Sequence, residues 1–241
     1  MIDRRSAVFL DYDGTLADIA EMPHLATAPD DMADILTRLS AVLDGAVAIL
    51  SGRPLSEIDA MLHPFAGAAA GVHGAERRIG DGRSVPPEAR EALSRVARAA
   101  EDLAAAHEGV LTERKSAAVA VHFRRNPAAE AACRAALREA VAGDERLALT
   151  EGKMVLEVRL KGHDKGAALD WFMARPPFAG RRPLVIGDDV TDEDAFRAAL
   201  RMGGDAVKVG DGETAAPHRL SDPAAVRRLL AAALETLERP A

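Results

Sequence analysis

Three short apolar runs set the strongest limit on how this chain can fold: Ala7-Val8-Phe9-Leu10, Val47-Ala48-Ile49-Leu50 and Leu184-Val185-Ile186, each ending abruptly in polar residues. Each is too short for a buried helix and too continuous for a strand with one wet face. A strand covered on both faces, as in a parallel sheet, satisfies both limits. Helical patterns lie between and after the runs, at 30–43, at 55–62 behind Pro54, at 166–174 behind Lys165, from near Asp192, and at 223–237. Strands alternating with helices predict an α/β fold built on a doubly wound parallel sheet. Aromatic residues make up only 3% of the chain, so the core is expected to be built from Ala, Val, Leu and Ile.

The middle of the chain follows a different rhythm. From Pro86 to His107, apolar residues recur at helical spacing (Leu93, Val96, Ala97, Ala100, Leu103, Ala104). In Val110–Arg125, Val119, Val121 and Phe123 alternate with Ala120, His122 and Arg124, as in a hairpin. Residues 127–142 are helical again, and Leu147–Thr150 with Lys153–Leu160 reads as a second strand pair around Glu151-Gly152. This block is expected to be a smaller α+β domain at 77–161, inserted into a discontinuous core of 1–76 and 162–241. Gly80-Asp81-Gly82 and Lys161-Gly162-His163 are the candidate hinges.

Four polar segments follow the core strands or open a helix. In Asp11-Tyr12-Asp13-Gly14-Thr15-Leu16, strand periodicity puts both carboxylates on one side of the departing chain, and Gly14 permits a sharp turn. Two acids so spaced can divide labour. One serves as ionised nucleophile and metal ligand; the other protonates a leaving oxygen and later activates water. Ser51-Gly52-Arg53-Pro54 offers a hydroxyl and amides at a strand-to-helix junction, which suits phosphate oxygens. A plain helix cap with Pro at its start would leave the same residues. Lys165, between Asp164 and Gly166, opposes the dipole of the helix it starts and gains nothing there for helix stability. Its ammonium is expected to face Asp11 and a phosphate.

The last segment, Gly187-Asp188-Asp189-Val190-Thr191-Asp192-Glu193-Asp194, crowds five carboxylates into seven residues. They repel one another unless a cation or bases compensate, and a hard, oxygen-ligated ion such as Mg²⁺ is the natural occupant. A solvated helix start would account in part for Asp192, Glu193 and Asp194. Together the four segments hold a nucleophile, a phosphate anchor, a cation and a metal site where open α/β sheets bind ligands. Those are the parts phosphoryl transfer needs.

Charge and cysteine content narrow the partners. A net charge of -7 argues against nucleic acid, and no stretch is apolar enough to span a bilayer. The single cysteine, Cys133, excludes an intramolecular disulfide and reads as a small buried residue in an Ala-rich helix. A monomer in a reducing cytoplasm is the expectation.

The ordered motifs resemble the haloacid dehalogenase superfamily of phosphohydrolases: an Asp-x-Asp pair, a Ser or Thr, a Lys and a closing acidic pair. The resemblance implies a Rossmann-like core with a C2-type cap inserted between Ser51 and Lys165. It implies that Asp11 becomes the aspartyl-phosphate and Asp13 is the general acid/base. Ser51 and Lys165 would hold the phosphoryl group, with Gly52 and Arg53 beside it. Mg²⁺ would be ligated by Asp11, the Asp13 backbone carbonyl and Asp188, with Asp189 and Asp192 behind or acting through water.

A closer resemblance, over about residues 7 to 210, is to the trehalose-6-phosphate phosphatase family. It rests on Gly71-Val72-His73-Gly74-Ala75-Glu76, Glu113-Arg114-Lys115, Val121-His122-Phe123-Arg124, Val155-Leu156-Glu157-Val158-Arg159 and the Gly187–Phe196 run. The family often has Tyr where Phe123 stands and Pro near Leu160. What it implies is Mg²⁺-dependent hydrolysis of trehalose 6-phosphate, with Glu113, Lys115, His122, Arg124 and Glu157 gripping the disaccharide. His73 reads as a structural hydrogen-bonder rather than a catalyst. The rivals are a related phosphatase acting on sucrose 6-phosphate or a glycosyl-glycerate phosphate, a phosphomutase, and a non-catalytic sugar-phosphate-binding subunit. The intact Asp11/Asp13 pair disfavours a pure binder, which needs no general acid beside a nucleophile.

Overall fold

The computed structural model describes residues 2–19, 26–86 and 88–239. In chain order the first elements are β1 (Ser6–Leu10), α1 (Met32–Val42), β2 (Val47–Leu50), α2 (Leu55–Met61), β3 (Ala68–Gly71), β4 (Glu76–Ile79) and β5 (Gly82–Ser84). Then come α3 (Ala89–Ala92), α4 (Ser94–Ala106), β6 (Leu111–Arg114), β7 (Ala118–His122), α5 (Glu130–Val141), β8 (Leu147–Gly152) and β9 (Val155–Leu160). The chain closes with α6 (Lys165–Met173), β10 (Arg182–Gly187), α7 (Glu193–Arg201), β11 (Asp205–Val209), β12 (His218–Leu220) and α8 (Pro223–Glu238). These form two compact units, Met1–Ser84 with Asp164–Ala241, and Val85–His163.

The larger unit is built on one sheet in the order β12-β11-β10-β1-β2-β3-β4-β5. The strands from β12 to β3 run parallel, and β4 and β5 continue antiparallel at one edge. Every residue of β1 and β2 is buried, which is why Ala7–Leu10 and Val47–Leu50 are unbroken apolar runs. The chain winds from β1 through β2 to β3 on one side and adds β10, β11 and β12 on the other. Strand order thus reverses at β1, and the crevice beyond β1 and β10 is where such sheets hold ligands. Helix starts reinforce the layout: Asp164 and Asp222 cap α6 and α8 by accepting 2.7 Å bonds from Ala167 and Ala225 amides. Each such cap is worth about 1 kcal/mol.

Two details depart from the sequence reading. Phe9, Phe172 and Phe178 meet with centroids 5.1–5.8 Å apart, so the core has an aromatic centre despite the aliphatic composition. In addition, the first core segment runs past 76, because β4 pairs antiparallel with β3 and β5 with β4. Gly80, at φ +54, turns that hairpin and is no passage between units. The polar run Glu76-Arg77-Arg78 concealed β4. Its buried Arg78 is satisfied by Asp59 at 2.5 Å and by the Gly67 carbonyl.

The smaller unit has an antiparallel sheet in the order β6-β7-β9-β8. The buried stripe of α4 (Val96, Ala97, Ala100, Leu103) and that of α5 (Cys133, Leu137, Ala140) cover its apolar residues, including Val119, Val121, Leu156 and Val158. Burial pushes the Cys133 thiol pKa up, which leaves it an inert core residue. Among the described residues, no helix is long and apolar enough to cross a membrane.

Candidate active site

Asp11 and Asp188 are far apart in sequence yet leave the sheet side by side. Strands β1 and β10 are parallel neighbours with Leu10 opposite Ile186, and the Asp11 amide extends the ladder by donating to the Ile186 carbonyl at 3.0 Å. Lys165, the first residue of α6, sends its ammonium into the same place. It donates to Asp11 Oδ1 at 2.6 Å and to Asp192 Oδ1 at 2.7 Å, with all three side chains buried. The other oxygen of Asp192 accepts from the Asp188 and Asp189 amides at 3.1 and 3.0 Å. Asp192 therefore ties the lysine to the loop that follows β10. Asp189 returns the favour by capping the Asp192 amide.

The electrostatics of this group are unbalanced. Burial pushes the Asp11 pKa well up, Asp192 and Asp188 reinforce the shift, and the Lys165 ammonium opposes it. Burial also raises Asp188, again with help from Asp192. For Lys165 burial acts downward, but Asp11 and Asp192 outweigh it and the net shift is up. One lysine thus pairs with two of these three carboxylates. Oxygens of Asp11, Asp188 and Asp192 lie within 4.8 Å of one another, and Asp188 Oδ1 is buried with no hydrogen-bond partner among the described residues. A hard divalent cation fits this donor set and would offset the excess charge.

The backbone is shaped around the acids. Gly14 has φ +75, and a Cβ there would lie 2.1 Å from Asp188 Oδ2. Lys208 of β11, buried between Val207 and Val209, donates its ammonium to the Asp188 main-chain carbonyl. Gly14→Ala must therefore strain its own backbone and displace the Asp188 carboxylate. We expect about a tenfold or greater loss of Mg²⁺ affinity. Calorimetric titration with the metal checks this, and parent-like affinity would contradict it.

Asp13 does not join the other acids. Arg53 grips its carboxylate at two points, 2.7 Å from Nε and 2.6 Å from Nη2, and also reaches Glu57 at 3.1 Å. The Arg53 guanidinium lies 5.6 Å from the centre of the buried Tyr12 ring. Tyr12 in turn accepts from the Ala28 amide at 3.2 Å, anchoring the loop that carries Asp11 and Asp13. Ser51 is buried at the end of β2, and its hydroxyl oxygen accepts from the Arg53 amide at 3.1 Å. The hydroxyl proton is left for another acceptor. A cleft of about 320 Å³ is lined by Asp11, Asp13, Ile19, Gly52, His73, Lys165, Asp188, Asp189 and Thr191.

A family model described as trehalose-phosphatase matches residues 9–223. The chain belongs to this family. It is 38% identical to the trehalose-6-phosphate phosphatase of Escherichia coli (strain K12), over 91% of this chain and 83% of that protein. It is 40% identical to a probable trehalose-phosphate phosphatase of Sinorhizobium fredii, over 94% and 86%. A crystal structure of a trehalose-6-phosphate phosphatase related protein superposes with a TM-score of 0.76 at 28% identity, covering 95% of this chain and 97% of that one.

The residues that the trehalose-phosphatase resemblance assigned to the sugar lie in the smaller unit. Lys115 donates to Glu157 at 3.0 Å and stands 4.0 Å from Glu113, which meets His122 Nε2 at 3.1 Å. The pairing with His122 holds the Glu113 pKa down. These four form one cluster on β6, β7, β9 and the turn after β6. Arg124 lies beyond the end of β7, exposed. The core residues that sequence reasoning missed are Lys208 and the cleft-lining role of His73. A lone lysine among Ala206, Val207 and Val209 was the only local signal for the first.

Proposed function

We infer that this chain is a Mg²⁺-dependent phosphomonoesterase that hydrolyses trehalose 6-phosphate to trehalose and inorganic phosphate. The observation that carries the chemistry is the buried Lys165 ammonium shared by Asp11 and Asp192 beside Asp188. A buried set of acids short of positive charge is a poor way to stabilise a fold. It is a good way to prepare a carboxylate for attack on phosphorus. The substrate assignment draws on the named activities of the Escherichia coli and Sinorhizobium fredii relatives.

In the reaction, an Asp11 oxygen bonds to phosphorus in line as the ester oxygen leaves. Lys165 faces the charge on the transferring group, and the Ser51 hydroxyl and Gly52 amide receive its oxygens. Asp13 gives the departing sugar oxygen its proton, which requires its two contacts with Arg53 to open. Water then attacks the phosphorus carried on Asp11, its proton passes to Asp13, and inorganic phosphate leaves with Asp11 restored. Mg²⁺ held by Asp11, Asp188 and the Asp13 carbonyl, with Asp189 and Asp192 behind, would supply Lewis-acid charge to the phosphoryl oxygens. The smaller unit, as the inserted recognition domain, supplies sugar contacts from Glu113, Lys115, His122, Glu157 and Arg124. All these groups belong to one chain, so the proposed reaction needs no residue from a second copy, and buried Cys133 suits a reducing cytoplasm.

A phosphate-release panel tests the reading. With Mg²⁺, trehalose 6-phosphate should exceed sucrose 6-phosphate, glucose 6-phosphate and a glycosyl-glycerate phosphate in kcat/KM by about 100-fold, because unpaired polar groups reject the wrong sugar. EDTA should silence release and Mg²⁺ restore it. A preference for another sugar phosphate, or metal-independent turnover, would sink the assignment.

A further inference from the structure

The turn between β3 and β4 holds an unusual backbone. Val72 (φ +48) and His73 (φ +54) both stand in the left-handed region and are followed by Gly74 at φ +101. That region disfavours side chains with a Cβ, and β-branched valine most of all. Such strain persists only where the surroundings over-determine it, and here they do. The Val72 amide donates to the Arg53 carbonyl at 2.9 Å, and the His73 amide donates to the Ser51 carbonyl at 3.0 Å. The turn is thereby fastened to the loop that carries the phosphate anchor. A Cβ on Gly74 would lie 2.5 Å from the Asp164 carbonyl, so the turn is also pressed against the residue before Lys165.

The result is a directed side chain. His73 lines the same cleft as Asp11, Asp13 and Lys165. A Cβ on Gly52 would stand 2.7 Å from Cε1 of its ring, so position 52 is kept bare for the imidazole to lie across the anchor loop. A mere spacer would need neither the left-handed valine nor an imidazole held against a glycine. We propose that His73 contacts the bound phosphoryl group directly, a ring N–H donating to one of its oxygens beside Ser51 and Lys165. This rests on reading the cleft as a phosphoryl-transfer site and adds a residue to it.

Binding of inorganic phosphate tests the contact without any substrate being assumed. The probe is phosphate titrated calorimetrically into the Mg²⁺-loaded protein. His73→Phe keeps a flat ring over Gly52 but has no N–H, and His73→Ala removes the ring. Both should bind phosphate about tenfold or more weakly, the scale of a hydrogen bond to a charged group. His73→Phe should also keep its thermal midpoint within a few degrees of the parent. The loss in kcat/KM should be similar for p-nitrophenyl phosphate and trehalose 6-phosphate. Parent-like phosphate binding by a folded His73→Phe would overturn this inference alone. So would a loss confined to the sugar phosphate, which would move the contact to the sugar. A parent protein that binds no phosphate would overturn the inference together with the reaction it extends.

Discussion

Asp11→Asn should cut turnover by about four orders of magnitude or more while leaving the metal-free protein as stable as the parent, or more so. The activity loss follows because an amide cannot form the phosphoryl-carrying bond, and removing a nucleophile disables both halves of the cycle. The stability expectation comes from the crowding of carboxylates. Burial raises the Asp11 pKa, so its charge is costly in the fold, and Asp188 and Asp192 add repulsion. Asparagine keeps an oxygen for the Lys165 ammonium, which retains Asp192 at 2.7 Å. Added Mg²⁺ should raise the parent's thermal midpoint and raise the variant's less, since a cation that binds only the folded state stabilises it by mass action. Thermal melts with and without the metal, beside phosphate-release assays, decide the matter. Turnover within a few fold of the parent would refute the nucleophile, and a large drop in metal-free stability would refute the electrostatic account.

Lys165→Met is the opposite experiment. Both activity and stability should fall, because the ion-pair partner that buried Asp11 and Asp192 share disappears. Stranding buried charge in this way costs about 3–5 kcal/mol. For a chain of this size that corresponds to a drop of roughly 10 °C in the melting midpoint. The pH dependence has a definite sign. Asp11 and Asp188 already have folded pKa values raised above the unfolded ones, so the folded form binds more protons and stability declines as pH rises through that window. Without the lysine the opposing pull on Asp11 is lost and the decline should steepen, so acidification from pH 7 towards pH 5 should recover part of the lost midpoint. Mg²⁺ should recover part of it too, though not the activity. A midpoint within about 2 °C of the parent would show that the lysine is not compensating these acids.

The contrast between these variants bears on what the sequence could reveal. Strands β1, β2 and β10 were legible because both faces are buried, and a fully buried strand cannot hide among polar residues. Their ends gave the acids and the serine, since polarity changes abruptly there, while the lysine is read from its place at the start of a helix. β3 was harder, as Ala68-Ala69-Ala70-Gly71 carries no β-branched residue, and β4 presents arginines that only tertiary partners satisfy. The two-point grip of Arg53 on Asp13 spans 40 residues and leaves no periodic trace. The family resemblance sets Arg53 beside the phosphoryl group, and in the structure its guanidinium also pairs with Asp13 and Glu57. The strain at Val72 was likewise invisible, because dihedral angles are not written in residue types.

The cluster on the smaller unit's sheet has a kinetic consequence. Lys115 is matched to Glu157 at 3.0 Å, so the field of that pair closes over a short distance. Such neutralised pairs exert little pull beyond a Debye length of about 8–10 Å. The chain as a whole carries -7, and a doubly charged ester is repelled by it until it is close. Ionic strength therefore works in the ester's favour: added salt screens the repulsion, and encounters become more frequent rather than rarer, the reverse of an enzyme that draws its anion in by bulk attraction.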